Sequence, residues 1–332
     1  MLFVNKKQLG ILCIILGTLL FSMMEVTLKG VSAHFHPFQL NFTRFFIGGL
    51  VLLPFALRTL RRRDADAPRL DAAALAKIAG LGFVGVFVSM TFYQLAVVHT
   101  DASVVAVLFS SNPVFVLPFA ALLLGEPIFR RNIAALALEI LGILIIVSPW
   151  NMQLDPYGVL FVLLAVLAFA LYGVLGKREG AKFGVFVTTC FGFLFGSAEM
   201  IAAALLTHLP PVAALLEAGP LRDYANIPFF SGYSPEILPA FLFVCIGVTG
   251  VGYVAYFMAM ECTSAGAGSL IFFFKPVLAP ILALLLLQEA IPANRVAGIA
   301  VILAASLINM APALRAAAHR RRTARREKGL PS

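Results

Sequence analysis

The chain has 332 residues, 61% of them hydrophobic and 12% charged, with a mean hydropathy of +0.96. Soluble domains carry roughly 45–50% apolar and about 25% charged residues, so this composition excludes a soluble enzyme or a nucleic-acid-binding module as the body of the chain. The formal net charge of +9 is then a matter of where a membrane protein keeps its cations.

Apolar stretches recur along the whole length and define ten spans: 9–33, 38–57, 75–98, 103–124, 133–149, 157–176, 183–207, 237–260, 266–288 and 293–311. As helices such stretches cross a hydrocarbon core of about 30 Å with every backbone group bonded internally. The first is too long for the apolar region of a signal peptide, carries Glu25 and Lys29 and lacks an A-x-A cleavage site, so it is read as a retained helix. With the N-terminus in the cytoplasm, 20 of the 25 Lys and Arg residues fall on cytoplasmic segments. That bias places both termini in the cytoplasm, and the expected location is a bacterial cytoplasmic (inner) membrane. The basic tail 312–332 is then a solvated topology anchor, and no nucleic acid is expected as a partner.

Polar residues within the spans are the functional candidates, because an ionisable group near the bilayer centre costs a few kcal/mol. On the first span Thr18, Ser22, Glu25, Lys29 and Ser32 recur at helical spacing and share one stripe, which should face protein or water. Two readings stay open for Glu25 and Lys29: a self-neutralising i, i+4 pair, or a lining in which Lys29 attracts an anion and Glu25 binds an ammonium or exchanges a proton. Arg44 on the second span is charged at any relevant pH; it either clasps a carboxylate or phosphate or sits in a fixed ion pair with a residue such as Glu25. Tyr93 and Asn112 follow on the third and fourth spans, and Glu139 and Glu199 on the fifth and seventh, where a proton relay is one reading. Glu126 lies in a turn and reads as a helix cap, as does Glu289. Gly192 and Gly196 read as close helix packing. The connection 208–236 is either a lid or a loose surface excursion. Tyr256 stands on the eighth span. On the ninth, Lys275 is placed about 10 Å inside the membrane, followed by Pro276, and is expected to face a cavity.

The two halves repeat. TDASVVAVLFSSNPVFVLPFAALLLGEPI aligns without a gap on TSAGAGSLIFFFKPVLAPILALLLLQEAI, pairing Thr100 with Thr263, Asn112-Pro113 with Lys275-Pro276, and Glu126 with Glu289. The same register pairs Tyr93 with Tyr256. An odd number of helices per half inverts the second copy, which gives an all-α polytopic protein of ten transmembrane helices in two inverted five-helix repeats. The expected division is 1–150, 151–311 and the tail 312–332.

The opening LLFSMMEVTLKGVSAHFHPFQLNFTRFFIGGLVLLP together with the NP…GEPI and KP…QEAI segments resembles the two repeats of an EamA-type member of the drug/metabolite transporter superfamily. The resemblance implies a ten-helix carrier of amino acids or other metabolites, and it places Arg44 where relatives commonly have an arginine. Where many relatives carry an aromatic-Gly pair and then an Asn, this chain has Phe21-Ser22 and then Glu25. The expectation is a secondary transporter that exports a small organic solute, an amino acid or other carboxylate-bearing metabolite, by alternating access. Its substrate-binding residues are Lys275, Lys29, Arg44, Glu25, Asn112, Tyr93 and Tyr256. Coupling to protons falls to Glu25 or Glu199, and no cofactor, metal or catalytic residue is expected. The competing readings are an organic-phosphate or other anion exchanger, and less plainly an intramembrane enzyme or a passive pore.

Overall fold

The computed structural model describes residues 6–63, 68–148, 155–219, 221–263, 268–272, 275–305 and 307–308. Among the described residues every regular element is helical. The apolar helices are, in chain order, α1 (Lys6–Ser32), α2 (Pro37–Arg61), α3 (Ala72–His99), α4 (Ala102–Leu124), α5 (Arg130–Val147), α6 (Pro156–Phe183), α7 (Val185–Leu206), α8 (Leu238–Cys262), α9 (Lys275–Leu287) and α10 (Ala293–Ala305). Seven are long and apolar enough to cross a membrane; α5, α9 and α10 are the shorter ones. The chain is a polytopic helical membrane protein. The tail 312–332 lies outside the described residues.

Local chemistry sets the helix starts. Asp71 accepts the Ala74 amide at 2.8 Å and Asp155 that of Tyr157 at 2.9 Å, each satisfying an N–H that has no carbonyl behind it. Pro37 and Pro156 occupy first turns, where the missing donor costs nothing. On α1, Ile11, Leu12, Ile15, Leu16 and Leu19 are exposed while Thr18, Ser22 and Glu25 are buried. The apolar side therefore meets lipid and the polar stripe meets protein, as its spacing predicts.

The two halves interleave. α2 runs along α7, α3 along α6 and α7, α4 against α6 and α9, and α1 against α8 and α9. Small residues permit the closest approach. A Cβ added to Gly82 on α3 would stand 2.4 Å from the Gly192 carbonyl oxygen, and one added to Gly196 would stand 2.8 Å from the Gly82 carbonyl oxygen, so only hydrogen fits there.

Irregularities recur at paired positions. A π-helical segment occupies Phe83–Ser89 in α3 and Phe243–Gly252 in α8; such widened turns are common where a helix serves a function. α4 breaks at Ser110 and Ser111, whose hydroxyls bond back to the Ala106 and Leu108 carbonyls at 2.6 Å, before resuming at Asn112. In the second half a 3₁₀ turn, Ser269–Phe272, precedes α9, which begins at Lys275. This corrects the expectation of one continuous span at 266–288. Pro113 and Pro276 each stand in a first turn, where the missing N–H costs nothing, whereas Pro54, Pro118 and Pro280 sit inside α2, α4 and α9.

The connection between α7 and α8 is fastened to the bundle, which overturns the reading of a loose excursion. It contains a helix, Pro210–Glu217, and a 3₁₀ turn, Arg222–Tyr224. Gln39 on α2 donates to the Phe229 and Ser231 carbonyls at 3.2 and 2.9 Å and accepts from the Ser231 hydroxyl at 3.0 Å. Phe35 packs edge-on against Tyr233 and is stacked on Phe241. Gly232 takes φ +84°, and a Cβ there would lie 2.0 Å from the His34 carbonyl oxygen. Only glycine lets the strap pass that close.

Candidate solute-binding site

Glu25 lies in the last third of α1, Lys275 at the start of α9 and Tyr93 on α3 beyond its π-helical segment. The three meet on one atom. Glu25 Oε1 forms an ion pair with Lys275 Nζ and accepts a hydrogen bond from the Tyr93 hydroxyl. All three residues are 0% exposed. The ammonium also lies 4.9, 5.6 and 5.9 Å from the ring centres of Phe109, Phe272 and Tyr93. Aromatic faces and a carboxylate replace the hydration that burial removes, which is how a lysine persists inside an apolar run. Glu25 Oε2 is left without a hydrogen-bond partner among the described residues.

Arg44, on α2, is also 0% exposed. Its Nε donates to Asn41 Oδ1 at 3.0 Å and its guanidinium carbon lies 4.6 Å from the centre of the Phe45 ring. Both terminal nitrogens are buried with no hydrogen-bond partner among the described residues. Glu25, Tyr93 and Tyr253 are its electrostatic neighbours. The fixed Glu25–Arg44 ion pair is not formed, because the carboxylate goes to Lys275. The arrangement therefore presents two guanidinium NH₂ groups and one carboxylate oxygen with bonding capacity to spare. Two cations and one anion leave the cluster with one positive charge in excess.

The other sequence candidates divide. Tyr256 is fully buried, stacks on Phe169 at 5.4 Å and packs edge-on to Phe272 at 5.7 Å, with its hydroxyl unpartnered among the described residues. Asn112 opens the second segment of α4, fully buried, with both polar atoms unpartnered among the described residues. Lys29 is placed elsewhere: its ammonium donates to the Val97 and Thr100 carbonyls at 2.8 and 3.0 Å. It thus ties off the C-terminal end of α3, where carbonyls without helical partners favour a cation. The self-neutralising Glu25–Lys29 pair is likewise absent. Glu199 is half-buried on α7, and among the described residues it takes part in no hydrogen bond or ion pair with the cluster. Glu289 is a cap, but of a helix in the other half: it accepts from the Ala102 and Ser103 amides at 2.9 and 3.0 Å and from the Ser103 hydroxyl at 2.8 Å. Glu126 instead forms an ion pair with Lys177 at 2.8 Å.

Sequence reasoning missed Asn41, Phe109 and Tyr253. Asn41 was findable, since it lies three residues before a buried arginine on a helix. The aromatic pair was not, because apolar spans are full of such residues. A cavity of about 480 Å³ lined by Pro54, Leu57, Arg58, Arg61 and Arg62 sits at the far end of α2, about 20 Å along the helix from Arg44 at 1.5 Å per residue. Among the described residues no group of three His, Cys, Asp or Glu side chains converges as a metal site would require.

An apolar helical bundle with interleaved halves, paired broken helices and a charged cluster sealed between them is the build of a membrane transporter. The EamA-like transporter family matches this chain over residues 8–148 and again over 156–311. The chain belongs to that family. It is 32% identical to an uncharacterized transporter of Clostridium kluyveri, over 90% of this chain and 92% of the relative. It is 25% identical to the uncharacterized inner membrane transporter YedA of Escherichia coli, over 63% and 70% of the two chains, and 23% identical to an S-adenosylmethionine uptake transporter of Rickettsia prowazekii, over 76% and 80%. A solved crystal structure shares the fold, with a TM-score of 0.64 at 18% identity over 90% of this chain and 96% of that one.

Proposed function

We propose that this transporter carries a small zwitterionic solute, an amino acid or another carboxylate-bearing metabolite, out of the cell across the bacterial inner membrane by alternating access. The observation that carries the reading is the buried Arg44 guanidinium, whose two terminal nitrogens have no partner among the described residues, together with a Glu25 carboxylate, one of its electrostatic neighbours, with one oxygen equally unpartnered. A solute carboxylate accepts from Arg44 in bidentate fashion. Its ammonium donates to Glu25 Oε2. Arg44, the one cation of the cluster without a counterion, matches a single carboxylate better than a doubly charged phosphate monoester, and Lys29, which a phosphate site would enlist, already serves the α3 terminus. The relative named for S-adenosylmethionine uptake supports the head-group chemistry, since that solute bears both a carboxylate and an ammonium.

In this reading residues 1–150 and 151–311 are the rocking halves, both termini are cytoplasmic, and Asn112, Tyr93 and Tyr256 line the solute's path. A proton reaching Glu25 releases Lys275 and weakens the ammonium site, so protons and solute compete for one carboxylate. Glu199 takes no part.

The test is a thermal-stability screen of the purified protein against the twenty amino acids, followed by counterflow of the best binder in proteoliposomes. Arg44→Gln should weaken that binder at least tenfold, and an imposed pH gradient should drive its movement. A panel in which no amino acid stabilises the protein overturns the amino-acid reading, and one in which S-adenosylmethionine and simple carboxylates fail as well overturns the carboxylate reading. Flux indifferent to the gradient overturns the proton coupling alone.

A further inference from the structure

Resting on the carboxylate reading of Arg44, we propose that Asn41 is a positioning and specificity-determining residue: it aims the Arg44 guanidinium while leaving its charge unspent for the solute.

An arginine buried among apolar helices ordinarily finds a carboxylate, because an unpaired charge at that depth is costly. Arg44 has the option one turn away on its own helix, where residue 41 is its i−3 neighbour. That neighbour is a carboxamide. Asn41 Oδ1 accepts the Nε–H at 3.0 Å and so takes the one guanidinium donor that points back along the side chain. The two outward NH₂ groups, the edge that matches a carboxylate fork, are buried with no partner among the described residues.

Asn41 is itself held. It is 0% exposed, and its Nδ2 lies 3.4 Å from the Val86 carbonyl oxygen and 3.9 Å from Met200 Sδ. Val86 belongs to the π-helical segment of α3, and Met200 to α7. The carboxamide therefore cannot turn over without losing its donor contacts, and Oδ1 is kept facing Arg44. An aspartate would accept the same Nε–H, yet it would cancel the charge that draws the solute and set its second oxygen against the Val86 carbonyl. The neutral acceptor orients; the acidic one would neutralise.

The experiment measures, for the twenty amino acids and their carboxamide derivatives, the ratio of acid to amide affinity on the parent protein, Asn41→Asp, Asn41→Ala and Arg44→Gln in nanodiscs. In the parent the best acid should bind at least tenfold more tightly than its amide. Asn41→Asp should collapse that ratio toward one by weakening the acid far more than the amide. Asn41→Ala, which frees the guanidinium without neutralising it, should weaken the acid while retaining a preference for it. An Asn41→Asp protein that keeps the parent ratio, while Arg44→Gln loses it, overturns the role of Asn41 and leaves the carboxylate reading standing. An Arg44→Gln protein that keeps the ratio, or a panel in which no acid binds, overturns both.

Discussion

The break in α4 and the start of α9 occupy paired positions, and each is followed by a helix with a proline in its first turn, yet they differ in the residue that precedes that proline. At the first stands Asn112, whose amide is fully buried and unpartnered among the described residues. At the second stands Lys275, whose ammonium has Glu25 as counterion. A duplicated scaffold supplies equivalent places, and the chemistry at each is then free to diverge. Charge has been installed at one break only, and the opposing carboxylate comes from α1; on α6 the acid, Glu179, lies about one turn nearer the C-terminal end than Glu25 does on α1, and it pairs with Lys182 at 3.0 Å. A symmetric pair of cations would repel each other across the centre and would need two counterions. One lysine needs one, and Arg44 then remains as the cluster's surplus charge.

Breaking the asymmetry from the charged side should have the largest effect. Lys275→Met leaves Glu25 buried without its counterion, and Glu25→Gln leaves Lys275 so; either should cost about 3–5 kcal/mol of stability. The double variant Glu25→Gln/Lys275→Met should recover most of that loss while abolishing transport. Unfolding midpoints of the four proteins in one detergent close the cycle, and additive single effects would show that the pair is not coupled.

The uncharged side offers a smaller and more diagnostic change. Asn112→Lys installs the missing cation where the Asn112 side chain has no hydrogen-bond partner among the described residues, and should cost about 2.5–3.5 kcal/mol. Asn112→Leu removes two unpartnered polar atoms and should be neutral or slightly stabilising. If Asn112 lines the path, that same variant should lower transport at least threefold with an unchanged midpoint. Transport that follows stability in both variants would make Asn112 a packing residue.

Much of this was legible before any coordinates. Span number follows from hydropathy, because lipid offers the backbone no partners. The inward face of α1 follows from the spacing of Thr18, Ser22 and Glu25, because a helix repeats every 3.6 residues. Lys275 stood out since a charge inside an apolar run needs a reason. Its partner was not legible: Glu25 is 250 positions away in the sequence, and only the interleaving of the halves brings α1 onto α9. The sequence instead offered Lys29, one turn from Glu25, as a neighbour. Local spacing cannot tell that the last carbonyls of α3 hold that ammonium. The start of α9 was not legible for a related reason, since an apolar stretch records solvent and not helical continuity.

The second departure from pairing is the α7–α8 connection, far longer than its counterpart between α2 and α3, and it gives the smallest effect. His36, at the N-cap of α2, holds it by two bonds of opposite kind: Nδ1 accepts the Phe38 amide at 3.2 Å and Nε2 donates to the Asp223 carbonyl at 2.9 Å. Tyr224 stands edge-on at 5.4 Å, with its own hydroxyl pushed up to about 12, chiefly by burial and further by Asp223. Burial lowers the His36 pKa below its ordinary 6.5, although the carbonyl bond and the charge of Asp223 oppose the shift. The neutral ring is the form that makes both bonds. A histidine lowered in the folded state binds fewer protons than the unfolded chain, so its stabilisation is present above the ordinary value and is lost as pH falls through the folded one. Protonation puts a hydrogen on Nδ1, breaks the cap and loosens the fastening at 223–233. Amide exchange there, corrected for its intrinsic pH dependence, should therefore rise about two- to fivefold between pH 7 and pH 5, and His36→Asn, which still caps the helix, should remove the pH dependence. A rise that survives in His36→Asn would place the sensitive group elsewhere and reduce the extra length of this connection to packing alone.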